Sequence, residues 1–148
     1  MGNRPVPKLE AAQVGKKTVV IVDDFAPFRR LLRSKLEVNG LQTVAEASDG
    51  LEAVAKAAEL QPDLVLLDIG LPKLNGIKAA AQIHSIAPQS KILFVSLDSD
   101  PEIVRSLLRD GAWGYVRKSE INRELENAIE AVLQGERFVS AGFCLAEA

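Results

Sequence analysis

Cysteine is almost absent from the sequence, and the one that is present, Cys144, excludes an internal disulfide. This usage is typical of a cytoplasmic protein. Long apolar runs are absent too, and none approaches the roughly 20 residues that span a bilayer. The N-terminus lacks the apolar core of a secretion signal. We therefore expect a cytoplasmic protein with no membrane partner.

An excess of charge of either sign is also missing. The formal net charge is −2 at pH 7, so nothing draws the whole chain to nucleic acid or anionic lipid. Hydrophobic residues make up 47% of the chain and charged residues 26%, which favours a folded globular protein over a disordered one. A chain of 148 residues suits one domain with its own core.

Short apolar strands alternate with amphipathic helices along the chain. Strands are predicted at residues 18–24, 41–47, 63–68, 91–98 and 112–118, and a helix is predicted after each. Five strand–helix units predict right-handed crossovers and a parallel sheet with helices on both faces. The nearly continuous apolar strands agree, because both faces of such strands are covered. The predicted fold class is α/β, with a doubly wound five-stranded parallel sheet.

Periodic apolar residues predict the buried face of three helices. These faces are Phe28, Leu31, Leu32 and Leu36 in the first helix, Leu51, Val54, Ala55 and Ala58 in the second, and Ile121, Leu125, Ala128, Ile129 and Val132 in the last. Arg29, Arg30 and Arg33 are expected on the solvated face of the first helix. Prolines and the lack of periodicity predict a flexible tail at residues 1–16.

Polar residues stand at the ends of four predicted strands. Asp23 and Asp24 end the first, Asp68 the third, Ser96 the fourth and Lys118 the fifth. The carboxyl ends of parallel strands form the functional edge of an open α/β sheet, so we expect these side chains to converge. Taken singly, the acids are equally well turn residues or helix caps, Ser96 is more simply a turn residue, and Lys118 is more simply a solvated lysine. Their order along four strands is what indicates a site.

The predicted cluster is suited to phosphoryl chemistry. Three crowded carboxylates repel one another unless a cation neutralises them. Hard oxygen ligands suit Mg²⁺, which keeps water and a phosphate oxygen in its remaining positions. Asp68 would then attack phosphorus and form an aspartyl phosphate, while Lys118 and the Ser96 hydroxyl contact phosphate oxygens.

These residues lie in segments that resemble the CheY-like receiver domain of two-component response regulators. The segments "VVIVDD", "DLVLLDIGLPKLNGI", "ILFVSLD" and "GAWGYVRKS" follow the receiver motifs in order. The resemblance covers residues 17–135 and implies a receiver domain there, with the flavodoxin-like strand order 2-1-3-4-5. Residues 136–148 are then a C-terminal tail or the start of a linker to an effector domain.

The resemblance also implies roles for the clustered acids. Asp68 would be the phosphoacceptor, fed by a cognate histidine kinase. Asp24 would bind Mg²⁺ directly and Asp23 largely through water. The backbone carbonyl of Gly70 would complete the protein ligands. The chain would phosphorylate and dephosphorylate only itself, so it is not expected to be an enzyme with a separate substrate.

A conformational switch is a further implication of the resemblance. Ser96 and Lys118 would contact the new phosphoryl group. Motion of Ser96 and Tyr115, which matches the receiver's mobile aromatic, would reshape the face made by the fourth helix, fifth strand and fifth helix. That face would bind an effector or a second copy of the chain as a homodimer.

The last part of the sequence indicates the output. "GAWGYVRKS" and "ELENAIEAVLQGERFVS" are especially similar to receivers of LuxR-type transcription regulators, in which a helix-turn-helix domain follows. The segment after Leu133 is too short for such a domain. Either a DNA-binding effector domain of the protein is missing from this sequence, or the receiver stands alone.

Other functions remain open at this point. A phosphatase with an aspartate nucleophile commonly has a second acid two residues later, where this chain has Gly70. An interaction module with a receiver fold would keep all the acids and never be phosphorylated. Nucleotide binding is poorly supported because no glycine-rich loop follows the first strand. The chain departs from the usual receiver pattern at Gly70, Leu97 and Ser119. We expect these departures to affect the phosphorylation rate and the phosphate lifetime, and not the fold.

Overall fold

A computed structural model describes residues 15–97 and 100–140. Most of the predicted N-terminal tail, and the chain from residue 141 with Cys144, lie outside the described residues. None of the helices within the described ranges is long and apolar enough to cross a membrane.

A parallel sheet forms the centre of the fold. Its strands within the described residues are β1 (Thr18–Val22), β2 (Gln42–Ala47), β3 (Leu64–Leu67), β4 (Lys91–Ser96), β5 (Gly114–Arg117) and β6 (Phe138–Val139). They lie in the order β2-β1-β3-β4-β5-β6, and each neighbouring pair is parallel. The predicted order 2-1-3-4-5 is confirmed, and β6 extends it at one edge.

Helices follow the first five strands. They are α1 (Ala26–Val38), α2 (Gly50–Leu60), α3 (Gly76–Ile86), α4 (Pro101–Arg109) and α5 (Ile121–Leu133), with a 3₁₀ turn at Lys118–Glu120 before α5. Local capping explains where three of them begin. The carboxylates of Asp49 and Asp100 and the amide oxygen of Asn75 each accept a backbone N–H bond of 2.8–2.9 Å in the first turn.

The core lies in two layers, one on each face of the sheet. Val20, Val22, Val65, Leu67 and Phe94 pack with residues of α2, α3 and α4 on one face. Val19, Ile21, Leu64, Leu66 and Val116 pack with residues of α1 and α5 on the other. All four residues of β3 are buried, as the continuous apolar run predicts. The doubly wound α/β class is therefore confirmed.

The structure confirms the predicted buried faces of α1 and α5 to different degrees. The buried residues of α5 are the five that its periodicity predicts. In α1, Leu32 and Leu36 are buried and Phe28 is partly buried, but Leu31 is 44% exposed. The apolar stripe of α1 is therefore narrower than the sequence predicts.

The predicted face of α2 is wrong except for Val54, which is partly buried against the core. This helix buries Gly50, Ala53 and Ala57, whereas Leu51 is 55% exposed, and Ala55 and Ala58 are exposed too. Small residues face inward because α2 lies close to the loop before α3: a Cβ atom on Gly50 would lie 1.8 Å from the carbonyl oxygen of Leu74. An alanine-rich helix has several nearly equal apolar faces, so only the packing distance selects among them.

The strand β6 lies beyond residue 135, where the sequence predicts the receiver domain to end. The N–H of Phe138 donates to the Trp113 carbonyl at 3.2 Å, and the N–H of Ser140 donates to the Tyr115 carbonyl at 2.8 Å. Gly114 permits this approach, since a Cβ atom there would lie 2.6 Å from the Phe138 oxygen. The ordered sheet therefore continues into the segment predicted as a tail or linker. The sequence did not predict this strand because two residues are too few to show a periodicity.

Candidate functional site

Neighbouring strands bring the acids together. Val22 of β1 and Leu67 of β3 are register partners, so Asp23 and Asp68, which follow them, lie side by side. Asp23 and Asp68 are buried, and Asp24 is exposed. Carboxylate oxygens of the three residues lie within 4.8 Å of one another. The structure thus places all three predicted acids in one cluster at the carboxyl edge of the sheet.

Asp23 is held from several directions. Its Oδ1 accepts the backbone N–H of Phe25 at 2.9 Å, and its Oδ2 lies 2.6 Å from the Lys118 ammonium. The guanidinium of Arg29 donates to the Asp23 backbone carbonyl at 2.6 Å. Burial raises the pKa of Asp23, and the contacts with Lys118 and Phe25 offset this only in part. The ionised carboxylate is therefore costly to keep in this position.

Lys118 reaches this cluster from the end of β5. Its side chain is 15% exposed, and its ammonium is 2.6 Å from Asp23 Oδ2 and 3.3 Å from Asp68 Oδ2. It also lies 4.6 Å from the centroid of the Phe28 ring, a cation–π contact. Burial works to lower the pKa of Lys118, but the two carboxylates outweigh it and the pKa is raised. Lys118 is therefore a cation shared between two acids.

Ser96 approaches Asp68 from the opposite side. It is the last residue of β4 and is buried, and its hydroxyl donates to Asp68 Oδ1 at 2.8 Å. Lys118 pairs with the other carboxylate oxygen of Asp68. One hydroxyl and one ammonium thus contact the two oxygens of a single carboxylate, as their positions at strand ends predict.

The loop after Asp68 is positioned by two glycines that the sequence analysis did not single out. A Cβ atom on Gly76 would lie 2.0 Å from the Asp68 carbonyl oxygen. The Gly50 N–H donates to the Pro72 carbonyl at 3.3 Å, which ties the loop to the start of α2. In the same loop Lys73 has a φ of 68°, a left-handed conformation. The Asn75-Gly76 pair, a frequent turn signal, is the sequence feature that points to this loop.

An open cleft leads from solvent to Asp68. Its lining residues are Asp24, Phe25, Phe28, Asp68, Ile69, Gly70, Ser96, Leu97 and Lys118. Gly70 is exposed, and a Cβ atom there would meet nothing within 4 Å, so the backbone does not require glycine. Leu97 is 74% exposed at the cleft, next to Ser96. The metal-ligand role of the Gly70 carbonyl stays a prediction.

Of the further predicted positions, Tyr115 lies away from the cluster, whereas Arg29 borders it. Tyr115 is fully buried in β5, in register with Phe94 of β4, and belongs to the core layer of α2, α3 and α4. Arg29 was expected to be solvated, but its side chain is only 18% exposed and pairs with Glu46 at 2.9 Å. Arg33 is exposed as expected and also pairs with Glu46, at 2.6 Å. Arg29 thus joins α1 to β2 and to the Asp23 carbonyl.

Known proteins resemble this chain in both sequence and fold. Residues 19–130 match the family described as the response regulator receiver domain. The chain is 34% identical over 123 residues to response regulator GacA of Pseudomonas viridiflava, covering 82% of this chain and 58% of that protein. It is 37% identical over 123 residues to oxygen regulatory protein NreC of Staphylococcus aureus, covering 82% and 57%. The chain thus spans a little over half the length of these relatives.

A solved structure gives the same result for the fold. The crystal structure of a LuxR-family two-component response regulator from Aurantimonas matches with a TM-score of 0.81 and 35% sequence identity, covering 85% of this chain and 91% of that one. The chain belongs to the response regulator receiver domain family.

Proposed function

We propose that this chain is a phosphorylation-controlled signalling switch that accepts a phosphoryl group on Asp68 from a histidine kinase. The observation that carries the proposal is the environment of the Asp68 carboxylate. It has the Ser96 hydroxyl on one oxygen and the Lys118 ammonium on the other, and two more acids lie beside it. This set lies on an open cleft that a donor can enter.

Mg²⁺ is the proposed metal for the three acids. Their carboxylate oxygens lie within 4.8 Å of one another, and an all-oxygen donor set suits a hard cation. Asp23, Asp24 and Asp68 would hold the ion, with the Gly70 carbonyl as backbone ligand. Bound there, the ion supplies positive charge beside the transferring phosphoryl group.

The proposed transfer uses side chains that already lie in place, with Mg²⁺ bound beside them. An oxygen of the Asp68 carboxylate forms a bond to phosphorus, while the bond from phosphorus to the donor imidazole nitrogen breaks and its electron pair stays on that nitrogen. Lys118 and Ser96 then contact oxygens of the phosphoryl group, because both already contact the carboxylate that carries it. Fixed cationic and hydroxyl donors at that position stabilise the charge as it arrives.

The proposed output follows from the position of the switch residues. Ser96 ends β4, and Tyr115 lies in the middle of the neighbouring strand β5. Motion of either one would alter the face formed by α4, β5 and α5. That face would contact a second copy of the chain or a LuxR-type effector outside this chain, and DNA would be bound only through the effector.

Acetyl phosphate with Mg²⁺ tests the proposal directly, with intact mass as the readout. We expect one added phosphoryl group, which requires both Mg²⁺ and Asp68, and none on the Asp68→Asn variant. A panel of active histidine kinases provides the second donor. The absence of an adduct from either donor would refute the proposal and leave an interaction module that is never phosphorylated.

A further inference from the structure

The last residues that the structure describes pair with β5, the strand that leads to Lys118. The backbone N–H groups of Phe138 and Ser140 donate to carbonyls of Trp113 and Tyr115, at 3.2 and 2.8 Å. This pairing covers the edge of β5 that would otherwise be open. We call residues 138–140 with these bonds the C-terminal clasp.

Ser140 closes the clasp with its side chain. The residue is fully buried. Its hydroxyl oxygen accepts the backbone N–H of Arg117 at 3.0 Å and its proton is donated to the carboxylate of Glu124 on α5. Both hydrogen-bonding functions of the hydroxyl are thus used, and they join β6, β5 and α5 at one point.

The clasp adjoins Lys118, whose ammonium contacts the proposed phosphorylation site Asp68. Arg117, whose N–H bonds Ser140, directly precedes Lys118, whose ammonium bridges Asp23 and Asp68. The ammonium lies closer to Asp23, at 2.6 Å, than to Asp68, at 3.3 Å. A phosphoryl group on Asp68 adds negative charge on one side of this bridge, and a cation among the acids competes with Lys118 for Asp23. Both changes draw the Lys118 ammonium from Asp23 towards Asp68, and a shift of the Arg117–Lys118 peptide with it would strain the bond from the Arg117 N–H to Ser140.

We propose that the C-terminal clasp and the phosphoryl group on Asp68 oppose each other, so that phosphorylation releases residues 138–140 from β5. This inference rests on the proposed function of Asp68. Release frees the edge of β5. Coupling between two sites is reciprocal, so opening the clasp strengthens binding at the phosphorylation site by the same factor.

Beryllofluoride, a phosphoryl mimic, provides the test in the presence of excess Mg²⁺. In the full chain, we expect hydrogen exchange of the Phe138 and Ser140 amides to accelerate by about threefold to tenfold on saturation, the range expected from the loss of one hydrogen bond. In Ser140→Ala, the beryllofluoride concentration for half-saturation, followed by amide NMR, should fall by the same factor. Phe138→Pro, which removes the N–H bonded to Trp113, should shift it in the same direction.

Ser90→Ala is the matched control. Ser90 is also buried, and its hydroxyl donates to the Pro62 carbonyl at 2.5 Å. It lies just before β4, at the amino ends of the strands, whereas the acids lie at the carboxyl ends. We expect this variant to lose stability with its beryllofluoride affinity unchanged. A shift as large as that of Ser140→Ala would show a general effect of destabilisation and overturn the proposal.

The outcomes separate this inference from the proposed function. Asp68-dependent binding with unchanged exchange at residues 138 and 140, or with unchanged affinity in both clasp variants, would overturn the clasp alone. No binding of beryllofluoride together with no adduct from acetyl phosphate or the kinases would overturn both.

Discussion

Replacing Lys118 with methionine should lower the free energy of unfolding, because the buried acids lose the cation that they share. Methionine keeps much of the length of the side chain but removes the cation that lies 2.6 Å from Asp23 and 3.3 Å from Asp68. Removing one partner of a buried ion pair costs about 3–5 kcal/mol, because the charge left behind has no compensation. The Lys118 side chain is 15% exposed, so water screens part of the effect, and we expect a loss of about 2–4 kcal/mol in the free energy of unfolding.

Urea unfolding at pH 7 in EDTA measures this loss, and Lys91→Met is the matched control. The Lys91 ammonium lies 4.7 Å from the Trp113 ring centroid and donates to the Val132 carbonyl, so both partners are neutral. Its replacement should cost about 1 kcal/mol. If Lys118→Met loses no more stability than Lys91→Met, the cluster is not held together by the shared lysine.

Two conditions should restore the Lys118→Met variant. Mg²⁺ at 100 times its dissociation constant adds about 2.7 kcal/mol to a protein that binds it only when folded. Acid should act in the same direction, because burial already raises the pKa of Asp23 above its ordinary value of 3.8 and loss of the cation raises it further. A carboxyl whose pKa is raised on folding favours the fold when protonated and loses that contribution as pH rises through the folded pKa. A deficit that stays constant from pH 7 to pH 4 would refute this account.

Other predictions follow from the same contacts. Asp23→Asn should flatten the fall in unfolding free energy as pH rises above about 4 in EDTA, because the raised pKa of Asp23 is one source of that fall; an unchanged pH profile in urea titrations would contradict this. Gly76→Ala should cost about 2 kcal/mol or more by overpacking against the Asp68 carbonyl, whereas Gly70→Ala, with open space, should stay within about 0.5 kcal/mol; equal effects in thermal unfolding would count against this close approach of the loop. Lys73→Gly should raise stability by about 0.5–1 kcal/mol, because the φ of 68° strains lysine and its exposed ammonium, 3.5 Å from Asp49, contributes little; a lower melting temperature would show that this pair matters more.

The sequence by itself determined the alternation of strands and helices and the edge at which the polar residues meet. Continuous apolar runs such as Leu64–Leu67 are suited only to strands covered on both faces, and crossovers between parallel strands have one hand. Any side chain that directly follows such a strand must lie at the carboxyl edge. This is why Asp23, Asp68 and Lys118 could be placed together from their positions in the chain alone.

The contacts within that edge were decided only by the tertiary structure. No pattern in the chain shows that Lys118 lies nearer to Asp23 than to Asp68, or that Arg29 is drawn to the Asp23 carbonyl, because these distances depend on how strands and helices pack. The buried face of α2 was set by the close approach of Gly50 to the loop before α3. The short strand β6 forms by pairing with β5, whose edge offers it backbone hydrogen-bonding groups. Local periodicity carries no information about such long-range pairing, and the C-terminal clasp was therefore visible only in the folded molecule.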